Sequence, residues 1–199
     1  MDDVWFRKNC ELVKKRLVVF IWIGLPCATW SRARRGGPGP PPLRSGDFVM
    51  GLPTLKGKSR IRVRQANKIM YRVAELIRLC NDCGVDWALE NPSSSFDWDA
   101  KAVRSLLPAA YYFELDFCQY GERWRKRTGI ATSVQDLAAL ATRCDSSSHH
   151  PLCSRTQKRH VVLSGVDPKT KTWRTSMACP YPKLMVRRDA ALLADCFRR

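Results

Sequence analysis

Leu17 to Leu25 is an unbroken run of apolar residues and one glycine, rich in β-branched and aromatic side chains (Val18, Val19, Phe20, Ile21, Trp22, Ile23), and it ends at Pro26-Cys27. A short continuous run of this kind reads as a strand buried on both faces, as at the centre of a parallel sheet covered by helices. The preceding Lys14-Lys15-Arg16 gives the basic-then-apolar order of a signal peptide,. The run is too short to cross a bilayer, and it stops at a Gly-Leu-Pro-Cys turn instead of a small-x-small cleavage site. The strand reading is therefore preferred, and no membrane partner is expected.

The rest of the chain supplies what such a strand needs. Residues 26–58 read as loop, with a Pro/Gly/Arg-rich part at 32–58 containing Gly36-Gly37-Pro38-Gly39-Pro40-Pro41-Pro42,. Apolar positions recur at helical spacing from Gln65 to Cys80,. Strands are expected at 85–89, 111–115, 128–132 and 160–163, with helices at 99–107, 133–143 and 183–197. Alternation of this kind predicts an α/β fold with a mostly parallel open sheet and flanking helices. Residues 1–16 are set aside as an N-terminal segment, and 17–197 are read as one domain.

The 199 residues carry a net charge of +17 and a pI near 9.9. Residues 32–72 hold eleven Lys or Arg against one acid, Asp47. A polyanionic partner is expected. Nine cysteines in a chain with a real core point away from a small secreted disulfide scaffold and toward a reducing compartment,.

In an open α/β sheet, ligands bind beyond the carboxyl ends of strands. Cys27 follows the first strand and Glu90-Asn91-Pro92 follows the second. Taken singly, Cys27 reads as readily as a structural thiol and Glu90 as a turn residue. Cys27 does not fit a tyrosine-phosphatase loop, because Arg32 stands at Cys-x4-Arg where Cys-x5-Arg is required. A papain-like pattern is also missing.

Taken together, Pro26-Cys27-Ala28-Thr29-Trp30-Ser31, Glu90-Asn91, Tyr120-Gly121 and the pair Arg125 and Arg127 form an ordered series. The series resembles the cytosine-5 DNA methyltransferases. Gly39-Pro40-Pro41-Pro42-Leu43-Arg44-Ser45, Gly51-Leu52-Pro53, Asn67 and Tyr181-Pro182 are similar to a divergent branch of such domains, some of them linked to mobile elements.

The resemblance implies a partial Rossmann-like methyltransferase fold and transfer of a methyl group from S-adenosylmethionine to carbon 5 of cytosine. Cys27 would be the nucleophile that adds to carbon 6, Glu90 the acid at ring N3, and Asn91 its positioning partner. Arg125 and Arg127 would support the base or its phosphate. Ser31, Arg32, Arg34, Arg35 and Arg44 would contact nucleic acid, DNA in the first instance with RNA left open. The family's donor site lies in a Gly-rich turn well upstream of the cysteine, whereas residues 1–16 contain no glycine. A truncated copy is expected, with a separate polypeptide supplying the cofactor half, or else an inactive basic remnant that only binds nucleic acid. An intracellular setting, nuclear in a eukaryote, follows from the DNA substrate.

A second constellation is independent of the resemblance. Cys144, His149, His150, Cys153 and His160 are spaced so that they could hold zinc, and Cys118 could join them,. Zinc is accordingly a second expected cofactor, and a zinc-stabilised interaction domain is a third function. Cys80 and Cys83, at the end of the predicted helix, read as core.

Overall fold

The computed structural model describes residues 3–32, 34 and 40–198. The elements are α1 (Asp3–Lys14), β1 (Phe20–Gly24), α2 (Gly57–Cys83), β2 (Asp86–Pro92), α3 (Lys101–Arg104), β3 (Tyr111–Asp116), β4 (Arg127–Thr132) and α4 (Lys183–Cys196), joined by loops and short 3-10 helices. The fold is α/β. The strands form one open sheet in the order β1-β2-β4-β3.

Only β1 and β2 run parallel, and the other pairs are antiparallel, so the expectation of a mostly parallel sheet is corrected. Chain length explains the difference. β1 returns to β2 through the long helix α2, whereas β3 and β4 are joined by residues 117–126 alone. Parallel neighbours need a crossover of roughly a dozen residues or more, usually with a helix, so the shorter connection turns the chain back on itself.

The apolar run also folds differently from its reading. Its strand covers only Phe20–Gly24 and lies at the end of the strand order. Leu17 and Val19 are 67% and 63% exposed. The 160–163 stretch forms no strand, and 133–143 holds a 3-10 helix at Gln135–Leu140 in place of an α-helix. The helix expected at 99–107 is broken into α3 and two 3-10 turns, the second containing Pro108.

Residues 3–14, within the 1–16 N-terminal segment, form α1. Phe6, Cys10 and Val13, three and four apart, place one face of it on the core,. Asp3 forms ion pairs with Lys68 and Arg72 of α2.

The chain divides into two compact units, one of residues 1–112 with 130–135 and the other of 113–129 with 136–199. In the first, α2 buries Met70, Val73, Ala74, Leu76, Ile77 and Cys80 in a cluster with Trp87 and Leu89 of β2. Thr132 Oγ1 donates to the Trp87 carbonyl at 2.6 Å, and Ser133 Oγ accepts from the Trp87 N–H at 3.0 Å. In the second unit the buried side chains include Leu115, Phe117, Leu137, Leu140 and Met185. No helix among the described residues is long and apolar enough to cross a membrane.

α2 begins eight residues earlier than its apolar periodicity, because residues 57–64 present basic side chains and only Val63 to the core. Its end is sharply defined. Gly84 sits at φ 67°, ψ 33°, and the Val85 N–H reaches back to the Cys80 carbonyl at 2.9 Å, which closes the helix in a left-handed cap,. Gly84→Ala should cost about 1 kcal/mol in urea unfolding and Gly84→Asn less, since asparagine tolerates that conformation better. Equal stability of all three proteins would contradict the cap.

Candidate functional site

Parallel pairing of β1 with β2 sets Gly24 opposite Glu90. Past that point the Leu25 N–H donates to the Glu90 carbonyl at 3.3 Å, and Asn91 Nδ2 donates to the Leu25 carbonyl at 3.1 Å. Asn91 thus straps the end of β1 to the end of β2. Two residues on, Cys27 opens the 3-10 turn Cys27–Thr29, and its carbonyl accepts from the N–H groups of Trp30 and Ser31. Cys27 is half-buried, Glu90 is 5% exposed and Asn91 is fully buried. The structure therefore brings the cysteine turn and the Glu-Asn pair to one end of two adjacent strands.

Arg44 requires a correction as a nucleic-acid contact. It is 3% exposed, with its guanidinium 3.3 Å over the buried Trp30 ring. Nε donates to the Thr29 carbonyl, Nη2 to Thr29 Oγ1 and Nη1 to the Val49 carbonyl. Arg44 fastens the cysteine turn to the loop that follows it. Burial pulls its pKa down to about 10, against the opposing charge of Asp97.

Arg32 stacks on Phe96 and pairs with Asp99, while Arg34 donates to the Pro41 carbonyl. Ser31 is half-buried. Arg35 lies outside the described residues.

Asp97 was not singled out in the sequence. It stands on the 3-10 helix Phe96–Asp99, completely buried, and among the described residues neither carboxylate oxygen has a hydrogen-bond partner. Burial pushes its carboxyl up to about 7, with Ser95 and local backbone N–H groups close enough to offset part of the rise and the charge of Glu90 adding to it. Trp30 Nε1 and Asn91 Oδ1 are likewise buried with no hydrogen-bond partner among the described residues.

Arg125 and Arg127 serve the second unit. Arg125 Nε lies 3.2 Å from Asp116 Oδ1, and its Nη1 donates to the Ser146 carbonyl at 2.6 Å. Arg127 lies 3.5 Å from Asp116 Oδ2 and 3.9 Å from Glu114. Asp116 is fully buried and also accepts the Cys144 N–H at 2.9 Å.

In this second unit the sulfurs of Cys118, Cys144 and Cys153 and a ring nitrogen of His160 all lie within 4.8 Å of one another, a group that could hold a metal ion. Cys118 stands on the 3-10 helix after β3, which ends at Gly121 with φ 101°. Cys153 and His160 flank a tight turn in which Leu152 bridges Arg159 and the Cys153 N–H donates to the Lys158 carbonyl. Burial pushes the Cys118 thiol up to about 12. For Cys144 burial also acts upward, but hydrogen bonds with Ser146 and Ser154 outweigh it and bring the thiol down to about 5. His149 and His150 are exposed and outside this group, which corrects their reading as ligands. Spacing could not separate three histidines so close in sequence, because it does not show which way a loop side chain turns.

Comparison of the chain with protein-family models, with curated proteins and with solved structures gives no match.

The buried Asp97 has a consequence for stability. Its carboxyl is raised in the folded state, so the contribution it makes is present near pH 4 and is lost as pH climbs toward about 7,. The slope is at most about 1.4 kcal/mol per pH unit. Asp97→Asn should therefore melt higher than wild type at pH 8 and show little advantage at pH 4. An unchanged difference between the two proteins across that range would show that Asp97 does not titrate there.

Proposed function

We propose that this chain is a nucleic-acid-directed domain of the cytosine-5 methyltransferase type, whose site is carried by the parallel unit β1-α2-β2 of a mixed sheet that is not a Rossmann arrangement. The observation that carries the reading is the strap from Asn91 to Leu25, which holds the Pro26-Cys27 turn beside Glu90 at the ends of two parallel strands. Ligands of open α/β sheets bind at such ends. A buried donor at Trp30 and a buried acceptor at Asn91, neither with a partner among the described residues, suit a polar planar ligand.

The chemistry these residues support is conjugate addition. A cytosine swung out of its stack presents carbon 6 to the Cys27 thiolate. As the C–S bond forms, the C5–C6 π pair shifts to C4–C5 and the C4–N3 pair moves onto N3, which takes a proton from the Glu90 carboxyl. Carbon 5 is then nucleophilic. Water protonates carbon 5, the hydroxide left behind takes the original C5 hydrogen as a proton, and expulsion of the Cys27 thiolate regenerates cytosine as the N3 proton returns to Glu90.

S-adenosylmethionine, the donor that the resemblance implies, calls for a strand and a Gly-rich turn. The residues ahead of β1 do not fit it, because 3–14 form α1 and 3–16 contain no glycine. The donor's site would therefore have to be built from residues other than these.

DNA is the proposed partner, with RNA as the variant substrate. Lys56, Lys58, Arg60, Arg62 and Arg64 are exposed around the start of α2, and no acid occurs between Asp47 and Glu75. This surface equally favours a second reading, a non-catalytic domain that binds nucleic acid.

Hydrogen exchange separates the two readings without a methyl donor. In D2O the protein should replace the C5 hydrogen of cytosine in an oligonucleotide with deuterium, read by mass spectrometry. Cys27→Ala should abolish exchange and Glu90→Gln should slow it by roughly 100-fold or more, while both variants keep wild-type DNA affinity. Binding should weaken with salt at a log–log slope of about −0.9 per phosphate contacted. Salt-sensitive binding without exchange leaves the non-catalytic reading, and absence of binding removes both.

A further inference from the structure

The group of three thiols and one imidazole has no part in the reaction proposed for Cys27. We propose that Cys118, Cys144, Cys153 and His160 bind one zinc ion in a closed tetrahedral site that holds the 144–160 segment against the end of β3.

The donor set is the first argument. Three soft sulfurs and one imidazole nitrogen match a structural zinc site, and four protein ligands leave no position for water or substrate. Tetrahedral bonds of about 2.3 Å to sulfur and 2.0–2.1 Å to nitrogen place S and N roughly 3.6 Å apart. Cys144 Sγ and His160 Nε2 are separated by 3.7 Å. The three sulfurs form a buried cluster of their own.

The surroundings of the sulfurs are the second argument. Gln119 Nε2 lies 3.6 Å from Cys118 Sγ and 3.9 Å from Cys153 Sγ, and Ser154 Oγ lies 3.7 Å from Cys144 Sγ. Donors arranged around thiolates share their negative charge and orient them, as partners outside a metal's own ligands do.

Regular secondary structure does little to order this part of the chain. Between Thr142 and Trp173 the backbone forms two isolated bridges, Leu152 with Arg159 and Val166 with Trp173, and no helix or strand. A zinc ion would tie three points of this stretch to Cys118. Its effect would extend to the arginines, because the Cys144 N–H and both Arg125 and Arg127 converge on the buried Asp116.

The full chain, purified without added metal, should carry close to one zinc per molecule, and a chelator should lower its melting temperature. Cobalt in place of zinc should give the visible bands of a tetrahedral ion together with thiolate charge-transfer absorption. The double variant His149→Ala/His150→Ala should keep both metal and spectrum, whereas Cys118→Ser should lose stoichiometric metal. Should Cys118→Ser fail to fold, His160→Cys decides, since a fourth thiolate should retain the ion and intensify the charge-transfer band. Metal-free protein whose melt ignores the chelator overturns the site. So does loss of zinc on changing His149 and His150, or a cobalt spectrum unaltered in His160→Cys. None of these readouts depends on nucleic acid, so the site can fail while the reading of Cys27 stands, and the reverse.

Discussion

Parallel pairing between β1 and β2 is the constraint on which the candidate catalytic geometry rests. Two segments more than sixty residues apart are brought into register, with Gly24 opposite Glu90. A slip of one residue would turn every side chain of β1 to the other face, and the Asn91 bond to Leu25 opposes such a slip just past the paired residues. The cysteine turn inherits its place from that register. A backbone feature, set by hydrophobic packing of α2 on the sheet, thus decides which thiol and which carboxylate are neighbours.

The elements legible in the sequence are those whose signal is local. The periodicity of α2 across Gln65–Cys80, the strands read at 111–115 and 128–132 and the helix read at 183–197 are all present, with the strands and the last helix displaced by no more than a residue at either end. Strand direction was not legible, because it follows from whether a crossover helix separates two strands. Residues 117–126 hold only a 3-10 turn. The site was legible to the same degree. Cys27 took its expected place past β1, while Glu90 and Asn91 lie within the last residues of β2 instead of after it. Arg44 did not take its expected place, because an arginine in a Pro- and Gly-rich loop carries no mark of the carbonyls of Thr29 and Val49 that will receive it. Asp97 was passed over for a related reason, since Ser95-Phe96-Asp97-Trp98-Asp99 looks like a polar turn until Phe96, Asp97 and Trp98 are all found buried.

Burying ionisable groups beside the cysteine turn is costly. Arg44 offsets its cost through three acceptors and a stacked indole. Asp97 has no such set of partners and is half-neutral near pH 7. The two respond to burial in opposite directions, the arginine still charged and the carboxyl free to change state. This part of the fold therefore carries a charge balance that shifts close to neutrality, next to the carboxylate assigned to the proposed chemistry.

The clamp of Arg44 on Thr29 also has a bearing on the segment between them. That segment begins at Trp30, stacked under the guanidinium, and ends at Leu43, itself buried and bonded through its carbonyl to Leu52. Both ends of the stretch bearing Arg32, Arg34 and Arg35 are consequently fixed in the folded protein. Arg44 thus joins the turn after β1 to the stretch around Val49 through one guanidinium, so a side chain without that planar fork at position 44 would release both attachments together,.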